Sequence, residues 1–149
     1  MKILVSACLL GENTKYNGLN NLNKEIINLK SQFELIPICP EVLGGLSIPR
    51  LKSEIKDSKV FMENGCDVTS NFILGANCAL NIIKDNNISY AILKDGSPSC
   101  GKNYIYDGNF NNNKIKGSGI TAKLLIENNI KIYSENEINK LLEDIYAKF

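Results

Sequence analysis

The sequence predicts an α/β protein: a single three-layer α/β/α domain over residues 1–149, built on a mainly parallel, Rossmann-like sheet. Two observations predict it. Four short runs, "KILVSA" (2–7), "FELIPI" (33–38), "SYAILK" (89–94) and "IKIYS" (130–134), are largely continuous in apolar residues, as strands covered on both faces are. Between them lie stretches of helical spacing, and strands that alternate with crossover helices come to lie parallel.

In chain order, the first strand runs into the loop "CLLGENTKYNG" (8–18), and Leu22, Ile26 and Leu29 then mark a helix over 20–31. The second strand ends at Cys39. Residues 40–69 are rich in Gly, Pro and charge and show no period, so they read as a long irregular segment, which in a compact domain is more often functional than idle. Phe72, Ala76, Leu80 and Ile83 predict a helix over 70–85. The third strand passes into "SPSCG" (97–101). "GSGITAK" (117–123) opens a helix over 118–128, beginning at Ser118 and carrying Leu124 and Leu125; it lacks the spacing of a phosphate-binding P-loop and reads as a plain helix start. After the last strand, Ser134 and Glu137 predict a capping box ahead of Ile138, Leu141, Leu142 and Ile145. The Asn-rich stretches "NGLNNLN" and "DGNFNNNK" are short and read as turns, and no internal repeat is visible.

Composition narrows the function classes. Hydrophobic residues at 44% and charged residues at 22% are ordinary for a folded domain, which excludes wholesale disorder. A formal charge of +1, from 17 basic and 16 acidic side chains, offers no footprint for nucleic-acid polymers or anionic membranes. The apolar run at the start has a strand's length rather than that of a membrane span or signal peptide, so the protein is expected in the cytoplasm. Oligomeric state is not legible.

Five cysteines, at 8, 39, 66, 78 and 100, fit a disulfide framework poorly, being odd in number and without an export signal. No histidine is present, which removes the commonest general base and leaves thiolates and carboxylates as the donors for any soft metal. Cys8, Cys39 and Cys100 each follow a predicted strand and so fall on the carboxyl edge of the sheet, where open α/β sheets bind ligands. Such a trio suits zinc, copper(I) or an iron–sulfur cluster; a cysteine at a strand end is also a common small core hydrophobe. Cys66, in the turn "NGCDVT", and Cys78, within a helix, read as plain thiols.

Other polar groups gather near that edge. Glu41 stands two residues after Cys39 and offers a carboxylate for general acid–base work, or is a solvated loop residue. Ser97 and Ser99 flank Pro98 and donate either to a ligand or to their own turn. Tyr16 and Asn17 in "KYNG" supply a ring for stacking and an amide for a base edge, although Asn-Gly is first a turn signal. Arg50, the only arginine, would clasp an anion or pair with Glu54.

These segments taken together, "SACLLG" with "KYNG", "CPEVLGG" with "PR", "LKDGSPSCG" with "IYDG", and "GITAKLL" with "IKIYSE", resemble the family first catalogued as domain of unknown function 523, whose studied members are thiouracil desulfidases. The resemblance runs from Ser6 to Glu135. It implies a 4Fe-4S cluster held by Cys8, Cys39 and Cys100, with a fourth iron open to the sulfur of a small thiolated heterocycle such as 2- or 4-thiouracil, giving uracil and sulfide by non-redox C–S cleavage. It further implies that Glu41 and a serine of "SPSC", Ser97 ahead of Ser99, are catalytic; Tyr16, Asn17 and Arg50 are the residues expected to meet the substrate. Two features depart from the family pattern: Lys15 and Asn17 stand where it commonly has Arg and Asp, and asparagines follow Phe110 in place of small residues. Two other readings of the trio stay open, a sulfur or metal carrier holding zinc or a transferable cluster, and a hydrolase with Cys100 as nucleophile.

Overall fold

The computed structural model describes residues 1–148. β1 (Lys2–Ser6) leads through a 3-10 turn into α1 (Lys24–Asn28), and β2 (Glu34–Ile38) into α2 (Pro40–Leu43). A hairpin of β3 (Ser53–Lys56) and β4 (Lys59–Met62) precedes the long α3 (Thr69–Asp85). β5 (Tyr90–Leu93) is followed by a second hairpin, β6 (Tyr104–Tyr106) and β7 (Lys114–Lys116), then by α4 (Ile120–Glu127), β8 (Lys131–Ser134) and α5 (Ile138–Tyr146).

The main sheet has the order β2-β1-β5-β8 and every pairing in it is parallel, with Ser6 opposite Ile38 and Leu93 opposite Ser134. Side chains alternate across it, and each face has its own core. Ile3, Val5, Tyr90, Ile92 and Tyr133 point to one side, against Ile26 and Leu29 of the α1 region and Ile138, Leu141 and Ile145 of α5. Leu4, Ala91, Leu93 and Ile132 point to the other, against Ala79, Leu80 and Ile83 of α3 and Ala122 and Leu125 of α4. Burial on both faces is why these strands read as continuous apolar runs, and it yields the expected three layers. α1 has five residues, too few to be stable alone, so it depends on burying Ile26 and on Asn23, whose side chain accepts the Ile26 N–H at 3.1 Å.

Residues 40–69 are more regular than their sequence suggests. They contain α2 and the β3–β4 hairpin, and Val60, Val68 and Phe72 bind that hairpin to α3 in a third small core. The turn between the two strands places Asp57 and Ser58 at φ of 51° and 65°, without the glycine that normally announces such a turn. α2 lies against α3 so closely that a Cβ on Gly75 would sit 1.9 Å from the Pro40 carbonyl oxygen, and one on Gly44 would sit 2.0 Å from that of Asn71. Only a pair of glycines permits this approach.

Three local expectations are corrected. Leu22 lies before α1 and is exposed, because the chain there is folded back along the first loop instead of continuing the helix. Ser118 does not start α4; its hydroxyl donates to the Lys102 carbonyl and Gly119 precedes the first helical residue. The capping box forms by half: Glu137 Oε1 accepts the Ser134 N–H at 2.8 Å, while Ser134 Oγ accepts from Asn136 rather than from Glu137.

Candidate active site and metal centre

Parallel strands end together, and that geometry gathers the three cysteines. Cys8 lies in the 3-10 turn just after β1, Cys39 is the residue between β2 and α2, and Cys100 sits in the loop after β5. All three line one cavity of about 300 Å³ with Tyr16, Glu41, Arg50, Lys94 and Ser97 in the same wall. All five cysteines are free thiols. Cys66 is exposed and Cys78 half-buried, and neither reaches the cavity.

The loop carrying Cys100 is folded around one carboxylate. Asp95 Oδ1 accepts the backbone N–H groups of Gly96, Lys102, Asn103 and Tyr104 at 2.9–3.2 Å, and Oδ2 accepts the Asn103 side-chain amide at 2.8 Å. Burial alone would raise the Asp95 carboxyl, but these donors outweigh it and hold it below its ordinary value. Gly96 lies at φ +81° with the Tyr104 ring 2.8 Å from where a Cβ would be, so the turn requires glycine. Within the loop, Ser97 Oγ accepts the N–H groups of Ser99 and Cys100 at 3.0 Å each, which leaves its own hydrogen to donate. Ser99 does not line the cavity; it is fully buried and its hydroxyl bonds that of Thr121 at 2.8 Å. Cys100 is 5% exposed, and burial pushes its thiol well above the ordinary range.

Cys8 and Cys39 are held from the side. Asn21 folds back on Cys8, its backbone N–H reaching the Cys8 carbonyl at 2.9 Å and its side-chain amide reaching Sγ at 3.5 Å. Cys39 Sγ is 3.8 Å from the Thr14 carbonyl. Burial raises both thiols, opposed at Cys8 by Asn21 and at Cys39 by the N–H groups of α2. Arg50 ties these pieces together. Its Nη2 donates to the Thr14 carbonyl at 2.9 Å and to Glu41 Oε2 at 3.1 Å, its Nη1 donates to the Ser47 carbonyl at 3.1 Å, and its backbone N–H bonds the Tyr16 carbonyl at 2.7 Å. The expected Arg50–Glu54 pair is therefore replaced by Arg50–Glu41, because Glu54 turns to the second hairpin and accepts the N–H groups of Gly108 and Phe110. Burial raises the Glu41 carboxyl and Arg50 opposes that rise. Tyr16 lies under the Lys52 ammonium at 5.6 Å. Asn17 stands outside the cavity lining, its side chain closing a turn on the Leu19 N–H at 3.1 Å.

The donor set bears on what the cavity would hold. Among the described residues, no three Cys, Asp or Glu side chains close around a single ion. A cubane bonds each thiolate to a different iron and so takes its ligands around a wider perimeter; three free thiols on one cavity wall, with no fourth, fit that group. Cys100, buried and with its thiol pushed up, is the opposite of an activated nucleophile. Two buried polar atoms without a hydrogen-bond partner among the described residues, Arg50 Nε and Ser53 Oγ, belong to lining residues. Sequence reasoning passed over Asp95, Lys94, Thr14 and Asn21. The Asp-Gly dipeptide at 95–96 was their one visible signal, and it reads only as a turn.

Comparison with known proteins adds three findings. A family model described as 2-thiouracil desulfurase matches residues 3–137. A protein of Bacillus subtilis (strain 168), described as uncharacterized protein YbbK, is 41% identical over 150 residues, covering 94% of this chain and 99% of that one. The solved structure of the [4Fe-4S]-dependent thiouracil desulfidase TudS superposes with a TM-score of 0.94 at 38% identity, covering 98% of each chain. Among the described residues no helix is long and apolar enough to cross a membrane.

Proposed function

Since this chain belongs to the 2-thiouracil desulfurase family, we propose that it is a 4Fe-4S-dependent desulfidase that converts a thiolated pyrimidine such as 2- or 4-thiouracil to uracil and sulfide without net redox change. The observation that carries this reading is the convergence of Cys8, Cys39 and Cys100 on one cavity that also holds Glu41 and Ser97. Those three thiolates would hold the cluster. When bound, it supplies a thiophilic iron with an open position, which takes up negative charge from sulfur as the C–S bond breaks.

The chain's own groups supply the rest. Glu41, its carboxylate held at one oxygen by Arg50, takes a proton from water as the water oxygen bonds the ring carbon, in a protein without histidine to do so. The C–S bond then breaks, carbon keeps the new oxygen, and because uracil carries the same hydrogens as thiouracil both water protons leave with the sulfur as hydrogen sulfide. Ser97, whose oxygen is fixed by two backbone N–H groups, donates its free hydrogen to the heterocycle and orients it. Tyr16, in the cavity lining, offers a ring face for stacking. We read Arg50 as acting through Glu41, Asn17 as closing the turn on Leu19 and Ser99 as a core partner of Thr121. We assign the protein to the cytoplasm, where thiols stay reduced.

An anaerobic assay on protein reconstituted with iron and sulfide tests the reading. It expects uracil and sulfide in equal amounts from 2- or 4-thiouracil. Iron uptake with no release of sulfide from either compound would instead favour the carrier reading.

A further inference from the structure

Glu41 and Arg50 form one ion pair of the cavity; a second stands unused. Lys94, the residue after β5, lines the same cavity. Its ammonium lies 2.8 Å from Glu135 Oε2 and donates to the Asp95 carbonyl at 2.8 Å, which engages two of its three hydrogens. Glu135 is itself fixed, since its other oxygen accepts the Asp95 backbone N–H at 2.9 Å. The lysine is thus held from two sides and cannot swing out to solvent without breaking both bonds. The Lys94 backbone N–H donates to Ser6 Oγ at 3.0 Å, which sets the lysine beside the end of β1 that leads into Cys8, and both residues line the cavity. The cavity that holds the three cysteines is thus lined by two cations, each tethered to a carboxylate: Arg50 on Glu41 and Lys94 on Glu135. Lys52, another cation of the lining, is turned to the Tyr16 ring.

We propose that Lys94, fixed by Glu135, is a further positioning residue for desulfidation: a permanent positive charge on the Cys8 side of the cavity that offsets the anionic sulfurs gathered there. Three thiolates in a partly buried cavity repel one another, and so does sulfur that becomes negative as it leaves carbon. A fixed ammonium lowers both costs more effectively there than it would in bulk water. The inference rests on the desulfidase reading and deepens it.

The test compares wild-type protein with K94M, K94R and E135Q, all full length and anaerobically reconstituted with iron and sulfide. Iron per chain, the midpoint potential of the bound iron followed by electron paramagnetic resonance, and kcat and KM on 2-thiouracil are measured. K94M is expected to shift the potential negative and to lower kcat by about tenfold with KM within about twofold. K94R should restore both, and E135Q should shift the potential in the opposite direction because it removes the balancing negative charge. Loss of iron from K94M that K94R restores supports the proposal equally. A loaded K94M with wild-type potential and kcat overturns this inference alone, as does a K94R variant as defective as K94M. A wild-type chain that takes up no iron overturns the cluster reading and this inference with it.

Discussion

Cys100 is 5% exposed in a loop whose backbone folds around one carboxylate, whereas Cys8 and Cys39 are half-buried on segments tied down by Asn21, Arg50 and a glycine contact from elsewhere in the chain. One sulfur is placed by its own loop, and the other two by neighbours. A backbone gathered on a buried acceptor has few alternative conformations, so Cys100 offers a fixed corner. Side-chain ties each contribute about 1 kcal/mol and are separable, so the rim on the Cys8 and Cys39 side can be loosened piece by piece. The two regions predict different kinds of damage.

The largest effect belongs to Asp95. Replacing it with Ala strips the acceptor from four backbone N–H groups and one amide, and should cost about 3–5 kcal/mol in urea unfolding together with loss of bound iron. Asp95→Asn keeps the shape and loses the charge. Because the folded carboxyl lies below its ordinary value, its contribution is present at neutral pH, begins to fall near the unfolded value of about 3.9 and is lost as pH drops through the folded value. The stability gap between wild type and D95N should therefore close on acidification below about pH 4. A gap that stays constant down to pH 2 would contradict the charge-based account.

Next comes Gly75→Ala, which puts a methyl 1.9 Å from the Pro40 carbonyl and must push α2 off α3. We expect a cost of about 1–3 kcal/mol. Glu41 rides on α2 and Cys39 immediately precedes it, so substrate turnover should fall more steeply than thermal stability. The smallest is Asn21→Ala, which removes the amide from Cys8 Sγ but leaves the backbone bond to the Cys8 carbonyl. It should cost under about 1 kcal/mol and show as faster loss of iron to a chelator, with unfolding nearly unchanged. A large stability loss in N21A would erase the contrast between the two regions.

How far this was legible follows from the same contrast. Continuous apolar runs such as Leu4, Val5 and Ala91 to Leu93 mark doubly covered strands, and parallel strands bring the residues after their ends to one edge, so the meeting of Cys8, Cys39 and Cys100 could be read from local pattern and topology. The fastenings could not. Asp95 is one residue in an ordinary turn signal, and its partners are backbone groups that any sequence supplies. The hairpin at 53–62 carries Lys56, Lys59 and a turn without glycine, which hides the usual alternation. Arg50 was within reach of two acidic residues by sequence, Glu41 and Glu54, and only the path of the chain through Ser47 to Pro49 decides between them. Ser99 and Ser97 look alike in "SPSC", yet one faces Thr121 in the core and the other the cavity.

Iron and acid-labile sulfide per chain, measured in the wild type and in five single Cys→Ser variants reconstituted anaerobically, test the central claim most directly. The account predicts four irons in the wild type, C66S and C78S, and a marked loss in each of C8S, C39S and C100S. Full iron in any one of the last three, or loss in C66S or C78S, would contradict it.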